Sequence, residues 1–194
     1  MTSSTDSTGE IEGQVRHEER DPEQEAVRQL ALAQIRQYPD PALRMAARPV
    51  EAFDDDLRRL VERMAQLMVD ASGVGLAGNQ VGVLQRIFVF APDADRVLTL
   101  VNPEIVSRSE EVEPEDEGCL SMQGVTVSVE RPVSVRIEGQ DERGKQVGYD
   151  LEGMAARIAL HELDHLDGTL ILDRTTSEDR RKALAVLRPR VFIR

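Results

Sequence analysis

Five consecutive residues carry the clearest candidate chemistry in the chain: His161, Glu162, Leu163, Asp164 and His165. In a helix, residues four apart lie on one face about 5 to 6 Å from each other, so the two imidazoles can converge on one cation. Glu162, beside the first imidazole, then points near an open coordination position, where it can act as a general base. The alternative is a surface helix with two incidental histidines. Because the chain has only three histidines and two stand at ligand spacing, we favour a metal site.

A catalytic metal with two imidazole ligands needs a third protein ligand and one open position. From the residues alone, three candidates stay open: the single cysteine, Cys119, and the downstream carboxylates Asp173 and Glu178. The softer thiolate is favoured, because an acidic side chain on a surface helix is usually solvated. The alternative interpretation of Cys119 is a small buried apolar residue.

Length and composition predict one domain of 194 residues with a strongly acidic surface. The net charge of −12 argues against a general nucleic-acid binder, and we expect no sequence-specific nucleic-acid partner. No apolar run approaches the roughly 20 residues that span a bilayer, and the first residues lack the apolar core of a secretory signal. We therefore expect a cytoplasmic protein without a membrane contact.

Composition also suggests the domain boundaries. Residues 1–25 are rich in acids and nearly devoid of large apolar side chains, so we predict a disordered acidic arm in which His17 is solvated. Residues 26–188 are predicted to form a single catalytic domain, and residues 189–194 a basic tail.

The apolar periodicity predicts an α+β fold, in which short antiparallel or mixed sheets pack around a central helix carrying the HExxH motif. An additional helix is expected in the N-terminal half, and another at the C-terminus. The predicted helices cover residues 57–70 and 178–187, with a weaker helical or edge segment at 26–37. The predicted strands cover residues 87–90, 97–101 and 170–172, with an antiparallel meander over 125–151. Residues 104–117, which hold seven acids, are predicted to form a solvated loop.

Three segments together resemble a known family. The sequence reads GVGLAGNQ over residues 73–80, EGCLS over 117–121 and HELDHLDG over 161–168. In this order and spacing they resemble the three motifs of peptide deformylases, and the similarity extends from about residue 36 to residue 188. Three ordered motifs are a specific signal, whereas one would not be.

The resemblance implies an enzyme that removes the formyl group from the N-formylmethionine of new bacterial polypeptides. It implies Cys119, His161 and His165 as ligands of one divalent cation, with Fe²⁺ expected and Zn²⁺, Ni²⁺ or Co²⁺ as alternatives. Glu162 would move the proton of the attacking water to the departing amine.

The resemblance further implies that the Gln80 side-chain amide and the Leu120 backbone N–H stabilise negative charge on the formyl oxygen. The backbone of Gly73, Val74 and Gly75 would pair with the extended substrate. By similarity of position, a pocket for the methionine side chain would come from Val74, Met154 and Ile158, although apolar helix residues are more often core than pocket.

Arg131 falls where the family has an arginine, and we hypothesise that it pairs with Asp164 to orient the metal-binding helix. Three positions depart from the family pattern. Gly78 replaces a usual alanine and is expected to loosen its loop, Leu160 replaces a glutamine, and Thr126 replaces an arginine that contacts substrate in some members.

Residues 174–194 hold seven basic side chains against two acids, so a contact with ribosomal RNA is a hypothesis beside the default of a solvated helix. Two other functions remain open. The chain could be a zinc endopeptidase that uses Glu178 as its third ligand, or a catalytically weak ribosome-associated binding module.

Overall fold

The computed structural model describes residues 10–17, 21–93 and 95–187, with the backbone alone at residues 10–12 and 16–17. The strands of these ranges are β1 (Glu10–Glu12), β2 (Val15–His17), β3 (Gly75–Ala77), β4 (Ile87–Asp93), β5 (Arg96–Arg108), β6 (Val112–Gly118), β7 (Thr126–Pro132), β8 (Ser134–Gln140) and β9 (Gln146–Glu152). The helices are α1 (Pro22–Leu32), α2 (Asp55–Asp70), α3 (Gly153–Leu166), α4 (Ile171–Arg174) and α5 (Ser177–Leu187). Single 3-10 turns cover Pro41–Arg44 and Gly78–Val81.

The strands form three antiparallel sheets. The largest has the order β3-β4-β5-β8-β9, while β1-β2 and β6-β7 form a two-stranded sheet each. Helix α3 packs against the five-stranded sheet and also against β7. The predicted α+β class is confirmed, and no described helix is long and apolar enough to cross a bilayer.

Helix α3 is buried on every side along most of its length. All residues from Ala156 to Leu166 are buried, so its polar side chains must find partners inside the protein. The helix begins directly after β9 at Gly153, whose φ of +54° favours glycine. A helix enclosed in this way can hold ligands at a fixed depth and orientation.

Helix α2 follows the prediction made from its apolar stripe. The Asp54 carboxylate accepts a hydrogen bond of 3.0 Å from the Leu57 N–H and so caps the first turn. The apolar side chains along one face of the helix are buried. These are Leu57, Val61, Met64, Leu67 and Met68. This face covers the sheet on the side away from α3.

The predicted disorder of residues 1–25 is wrong for the described part of that range. Strands β1 and β2 pair as a hairpin, and Gln14 between them is fully buried. Helix α1 starts at Pro22, earlier than the predicted segment at 26–37, because Asp21 accepts hydrogen bonds from the Glu23 and Gln24 N–H groups. Composition cannot register buried hydrogen bonds of this kind. Residues 1–9, 18–20 and 188–194, and the side chain of His17, lie outside the described residues.

The predicted meander over residues 125–151 is wrong in its strand pairing, and the predicted loop over residues 104–117 is wrong because most of it forms strands. Strand β7 pairs with β6 along its whole length, whereas β8 pairs with β5 and β9. The acidic residues of 104–117 therefore lie mainly in β5 and β6, where exposed carboxylates face solvent from a paired backbone. Alternation shows which side of a strand is buried but not which strand it pairs with.

The predicted strand at residues 170–172 is also wrong. Leu170 precedes the single turn of α4, and the Asp173 carboxylate accepts a 2.9 Å hydrogen bond from the Leu170 N–H. All three apolar side chains are buried in a cluster with β7 and α5. A short apolar run fits either structure, and here the carboxylate cap favours a helical turn.

Candidate metal centre

The structure brings Cys119, His161 and His165 together. One ligand atom from each lies within 4.8 Å of the others, and all three side chains are buried. The Cys119 Sγ and the His165 Nε2 are 3.4 Å apart, and the centroids of the two imidazole rings are 5.0 Å apart. The histidines share one face of α3, and Cys119 follows the last residue of β6. Among the described residues, this is the group of His, Cys, Asp and Glu side chains that could hold a metal ion.

The donor atoms fit a divalent cation. The His161 Nδ1 lies 2.9 Å from the Glu117 Oε2, and since a carboxylate can only accept, the Nδ1–H donates. The Nε2 lone pair is then free for a metal, and this buried atom has no hydrogen-bond partner among the described residues. One sulfur and two imidazole nitrogens form a set that leaves a tetrahedral cation one open position.

Burial governs protonation in this cluster. Burial raises the pKa of the Cys119 thiol, and the neighbouring Glu162 and Glu117 carboxylates raise it further. Burial, together with His161, lowers the pKa of His165 well below its ordinary value, so its imidazole is neutral. A neutral imidazole is the form that binds a metal.

Glu162 lies beside the cluster and is fully buried. Its Oε1 accepts a 2.8 Å hydrogen bond from the Gln14 Nε2, and its Oε2 has no hydrogen-bond partner in the described part of the chain. Burial raises the pKa of Glu162 well above its ordinary value. A Cβ atom at Gly75 would lie 2.1 Å from the Oε1, so only glycine there leaves room for this carboxylate.

The Gln80 side chain and the Leu120 backbone N–H point at the same oxygen atom. Gln80 Nε2 and the Leu120 N–H donate to the Gln14 Oε1 at 3.0 and 2.8 Å. Gln80 is held by the Ala77 N–H, which donates to its Oε1 at 2.9 Å, and by its own donation to the Ser121 Oγ at 3.0 Å. Two donors directed at one acceptor can stabilise a negatively charged oxygen.

Gln14 is a residue of the site that the sequence interpretation missed. It lies in a segment predicted to be disordered, and no apolar pattern surrounds it. Its backbone oxygen accepts a 3.0 Å hydrogen bond from the Val74 N–H, and Val15 forms an antiparallel bridge with Gly73. The backbone of Gly73 and Val74 therefore pairs with a segment of the same chain, and its pairing with substrate stays a prediction.

Glu117 is the second residue that was missed. Its carboxylate accepts from Arg131 Nε and Nη2 at 2.9 Å each, from Arg157 Nη1 at 2.8 Å and from the His161 Nδ1–H. Burial alone would raise the pKa of Glu117, but hydrogen bonds from Arg131 and His161 lower it below its ordinary value. This carboxylate thus fixes the tautomer and the ring orientation of a candidate ligand.

The hypothesised contact between Arg131 and Asp164 is present. Arg131 Nη1 lies 2.6 Å from the Asp164 Oδ2, and Arg174 Nη2 lies 2.5 Å from the Oδ1. Because Arg131 also binds Glu117, it joins β6 to α3 directly behind His161.

The residues assigned to the methionine pocket lie together in the core. Val74 and Ile158 are fully buried and Met154 is partly buried, all in the cluster between β4, β8 and α3. Their role in binding substrate stays a prediction.

The three departures from the family pattern have different surroundings. Gly78 lies where a Cβ would be 2.7 Å from the Val83 carbonyl oxygen and 2.8 Å from that of Gln85, so the backbone as it stands here has no room for alanine. The expected loosening of the loop stays a prediction. Leu160 packs in the apolar cluster around α3, and Thr126 lies exposed at the start of β7.

The alternative third ligands lie elsewhere. Glu178 is exposed and pairs with Lys182 at 2.9 Å, whereas Asp173 pairs with Arg44 and caps α4. Neither belongs to the Cys119, His161 and His165 group.

Comparison with known proteins gives a consistent result. The family model of polypeptide deformylase matches residues 32–181. The peptide deformylase of Parafrankia sp. strain EAN1pec is 43% identical over 159 residues, which cover 82% of this chain and 87% of the relative. The peptide deformylase of Thermotoga maritima is 44% identical over 149 residues, 77% of this chain and 90% of the relative.

Solved structures give the same match. A peptide deformylase from Legionella pneumophila superposes with a TM-score of 0.76 at 39% identity, covering 79% of this chain and 91% of that chain. A Plasmodium falciparum peptide deformylase in complex with inhibitor superposes with a TM-score of 0.73 at 39% identity, and the match covers 79% of this chain and 96% of that chain.

The fold and the site define a hydrolytic enzyme whose buried helix could hold one cation against a cysteine on a neighbouring sheet. The matched residues 32–181 include that helix, the cysteine and the Gln80 loop. The chain belongs to the polypeptide deformylase family. Membership of this family supports an activity that removes N-formyl groups from nascent peptides.

Proposed function

We propose that this chain hydrolyses the formyl amide of N-formylmethionyl polypeptides and releases formate. The observation that carries the proposal is the meeting of four groups in one buried site. These are the Cys119, His161 and His165 cluster, the Glu162 carboxylate, the Gln80 amide and the Leu120 N–H. Together they supply the three functions that hydrolysis of an amide bond needs, which are a cation site, a proton carrier and a pair of donors to the developing oxyanion.

Cys119, His161 and His165 would hold one divalent cation, with Fe²⁺ expected and Zn²⁺, Ni²⁺ or Co²⁺ as alternatives. When bound, the cation would act as a Lewis acid that lowers the pKa of water and polarises the formyl carbonyl. Glu117 keeps the His161 lone pair directed into the site, and Arg131 holds Glu117 in place.

Glu162 is the proton carrier. Its buried carboxylate takes a proton from the attacking water and returns it to the nitrogen of the departing methionine. Gln80 Nε2 and the Leu120 N–H donate to the formyl oxygen while negative charge develops on it. The products are formate and a peptide with a free amino terminus.

The substrate would lie along the backbone of Gly73, Val74 and Gly75, with its methionine side chain against Val74, Met154 and Ile158. The amide pairing seen at Val74 and Gly73 supports this direction of approach. Nascent chains are the expected partners, which fits a cytoplasmic location.

Ribosome contact through residues 174–194 is part of the same proposal. In the described part of this segment, Arg181 is exposed, whereas Lys182 pairs with Glu178. Co-sedimentation with ribosomes that survives deletion of residues 177–194 would refute this contact.

The test is formate release from formyl-Met-Ala-Ser by protein purified without oxygen. We expect wild-type protein to release formate and leave both peptide bonds intact, while Glu162→Gln retains its metal and loses at least about 10²-fold in kcat. Cleavage of a peptide bond instead would favour the endopeptidase. Formate release by E162Q at the wild-type rate would overturn the assignment of Glu162.

A further inference from the structure

The side chain of Gln14 occupies the centre of the proposed active site. Its Oε1 accepts hydrogen bonds from Gln80 Nε2 at 3.0 Å and from the Leu120 N–H at 2.8 Å. Its Nε2 donates to the Glu162 Oε1 at 2.8 Å and to the Gln80 Oε1 at 2.9 Å. Both lone pairs and both N–H groups of the carboxamide are therefore used, in a residue with no exposed surface.

The orientation of this carboxamide follows from two backbone donors. The Ala77 N–H must meet an oxygen, which fixes the Gln80 Oε1 and leaves Gln80 Nε2 to donate. The Leu120 N–H must likewise meet an oxygen, which fixes the Gln14 Oε1. The Gln14 Nε2 is then the atom beside Glu162.

A primary carboxamide has the planar O=C–N group of an N-formyl amide. The proposed function assigns Gln80 and Leu120 to the formyl oxygen and Glu162 to the departing nitrogen. Gln14 presents its oxygen to the first pair and its nitrogen to Glu162. We propose that residues 13–15 are a pseudosubstrate built into the chain, which occupies the formyl site until a formylated peptide displaces it. This inference rests on the proposed function.

The backbone of the segment binds as an added strand. Gly13 forms a bridge with Gly118, and the Gln14 N–H donates to the Gly118 carbonyl oxygen at 3.2 Å. On the other side, the Val74 N–H donates to the Gln14 carbonyl oxygen at 3.0 Å, and Val15 bridges Gly73. The segment thus uses the same backbone that was assigned to the substrate, so the two cannot bind together.

Gly13 shows that the segment fits this groove closely. Its φ is +58°, and a Cβ atom would lie 2.8 Å from the Glu117 Cβ and 3.0 Å from the Gly118 carbonyl oxygen. Any larger residue at this position must move the segment or the backbone beside Cys119. Position 13 therefore favours glycine for docking, independently of Gln14.

Helix α1 keeps the segment near the site. The helix begins at Pro22, and its Ala31 and Leu32 are buried in the cluster formed with α2. A segment tethered this closely reaches an effective concentration of about the millimolar range. A free formyl peptide must compete against it, which raises the apparent KM without changing the chemical step.

The kinetic test compares Gln14→Ala and Gly13→Ala with Gln34→Ala, all in the full-length, metal-loaded protein. Gln34 is an exposed glutamine just after α1 and serves as the control. We expect both test variants to lower KM for formyl-Met-Ala-Ser about tenfold or more with kcat unchanged, because the open fraction of the site rises. Q34A should match wild type.

A fall in kcat on Gln14→Ala would make Gln14 part of the catalytic machinery and overturn the proposal. An unchanged KM in both test variants would also overturn it, because the segment would then not compete with substrate.

A second readout does not depend on turnover. Trypsin can cleave after Arg16, two residues beyond Gln14, and mass spectrometry identifies the fragment. We expect slow cleavage in wild type and Q34A, faster cleavage in Q14A and G13A, and faster cleavage of wild type with saturating formyl-Met-Ala-Ser but not with Met-Ala-Ser. Equal rates of cleavage in all variants would overturn the proposal that residues 13–15 are docked in the site.

The two proposals fail in different ways. If the chain does not bind formyl peptides, Q14A is still cleaved faster than Q34A, but formyl-Met-Ala-Ser has no effect and no formate is released. If only the pseudosubstrate is wrong, formate is released with the same KM in Q14A and Q34A.

Discussion

Glu117 is a single carboxylate shared by Arg131, Arg157 and His161. It was missed because it ends a run of acids, most of which are exposed in their strands. A signal was nevertheless present in β7. Arg131 continues the inward register of Val127 and Val129, and a buried arginine requires a buried carboxylate.

Arg131→Met tests the role of this carboxylate pair. The variant removes both hydrogen bonds from Arg131 to Glu117 and one partner of Asp164, which leaves Arg157 and Arg174 as their remaining cations. We expect a loss of up to about 3–5 kcal/mol in unfolding free energy. Metal affinity should fall about 10–100-fold, because His161 loses its oriented partner. Chemical denaturation and metal titration measure the two effects.

Arg136→Met is the matched control, since Arg136 pairs with Glu138 and Asp150 on the exposed face of β8. It should change stability far less than Arg131→Met does, because exposed ion pairs contribute little. Equal stability and equal metal affinity in R131M and R136M would show that Arg131 does not stabilise α3 or orient its histidines.

Gly75→Ala tests the position of the base. The added Cβ would lie 2.1 Å from the Glu162 Oε1 and 2.7 Å from its Cδ, so the carboxylate must move while the backbone stays. We expect activity to fall by at least about 10²-fold and stability by about 1–3 kcal/mol at most.

Gly148→Ala serves as its control, because there the atoms nearest to a Cβ belong to flexible side chains, Glu138 at 3.1 Å and Arg136 at 3.3 Å. Formate release and thermal unfolding separate the two variants. Full activity in G75A would mean that Glu162 does not need its present position.

At the level of elements, the sequence predicted what depends on local periodicity. The stripe of α2 and the motif spacing of α3 are local patterns, and both helices stand where they were expected. Strand partners are not local, so the separation of β7 from β8 could not be read from alternation. The apolar residues 170–172 fit a strand or a helical turn equally well, and Asp173 decides the outcome.

Asp173 also provides a pH-dependent contact between elements. Burial would raise its pKa, but hydrogen bonds from Arg44 and the Leu170 N–H lower it below the ordinary value of 3.8. A lowered folded-state pKa means that this stabilisation is present above pH about 4 and is lost as the pH falls through the folded value.

Asp173→Asn keeps the acceptor for Leu170 and removes the charge. Because the Asp173 and Arg44 side chains are partly exposed, we expect it to cost about 0.2–1 kcal/mol at pH 7. The difference from wild type should shrink as the pH falls below about 4. Urea unfolding between pH 3 and pH 7 measures the stability difference between wild type and D173N. A difference that grows as the pH falls would contradict the lowered pKa of Asp173.

At the scale of the whole molecule, composition predicted a single acidic domain, and this stays a prediction. The polar N-terminal segment was misjudged because its stabilisation comes from hydrogen bonds in the site and from a capped helix. Apolar content alone does not register either contribution. The cation would act at this scale as well, because its ligands join α3 to the end of β6.

Metal removal should therefore lower the stability of the entire chain. A ligand present at about 1,000 times its dissociation constant stabilises a folded protein by about 4 kcal/mol. For a domain of this size, we expect chelation to lower the thermal midpoint by about 8–16 °C. Scanning calorimetry of wild type and Cys119→Ala measures it, and C119A should be insensitive to the chelator. An equal shift in both proteins would place the ion elsewhere.

The most direct measurement is the X-ray absorption spectrum of the protein loaded with one zinc ion as a probe. We predict one sulfur at about 2.3 Å and two imidazole nitrogens at about 2.0–2.1 Å, with the sulfur contribution lost in C119A. A first shell of nitrogen and oxygen alone, or a spectrum that C119A leaves unchanged, would contradict the metal centre on which the proposed function depends.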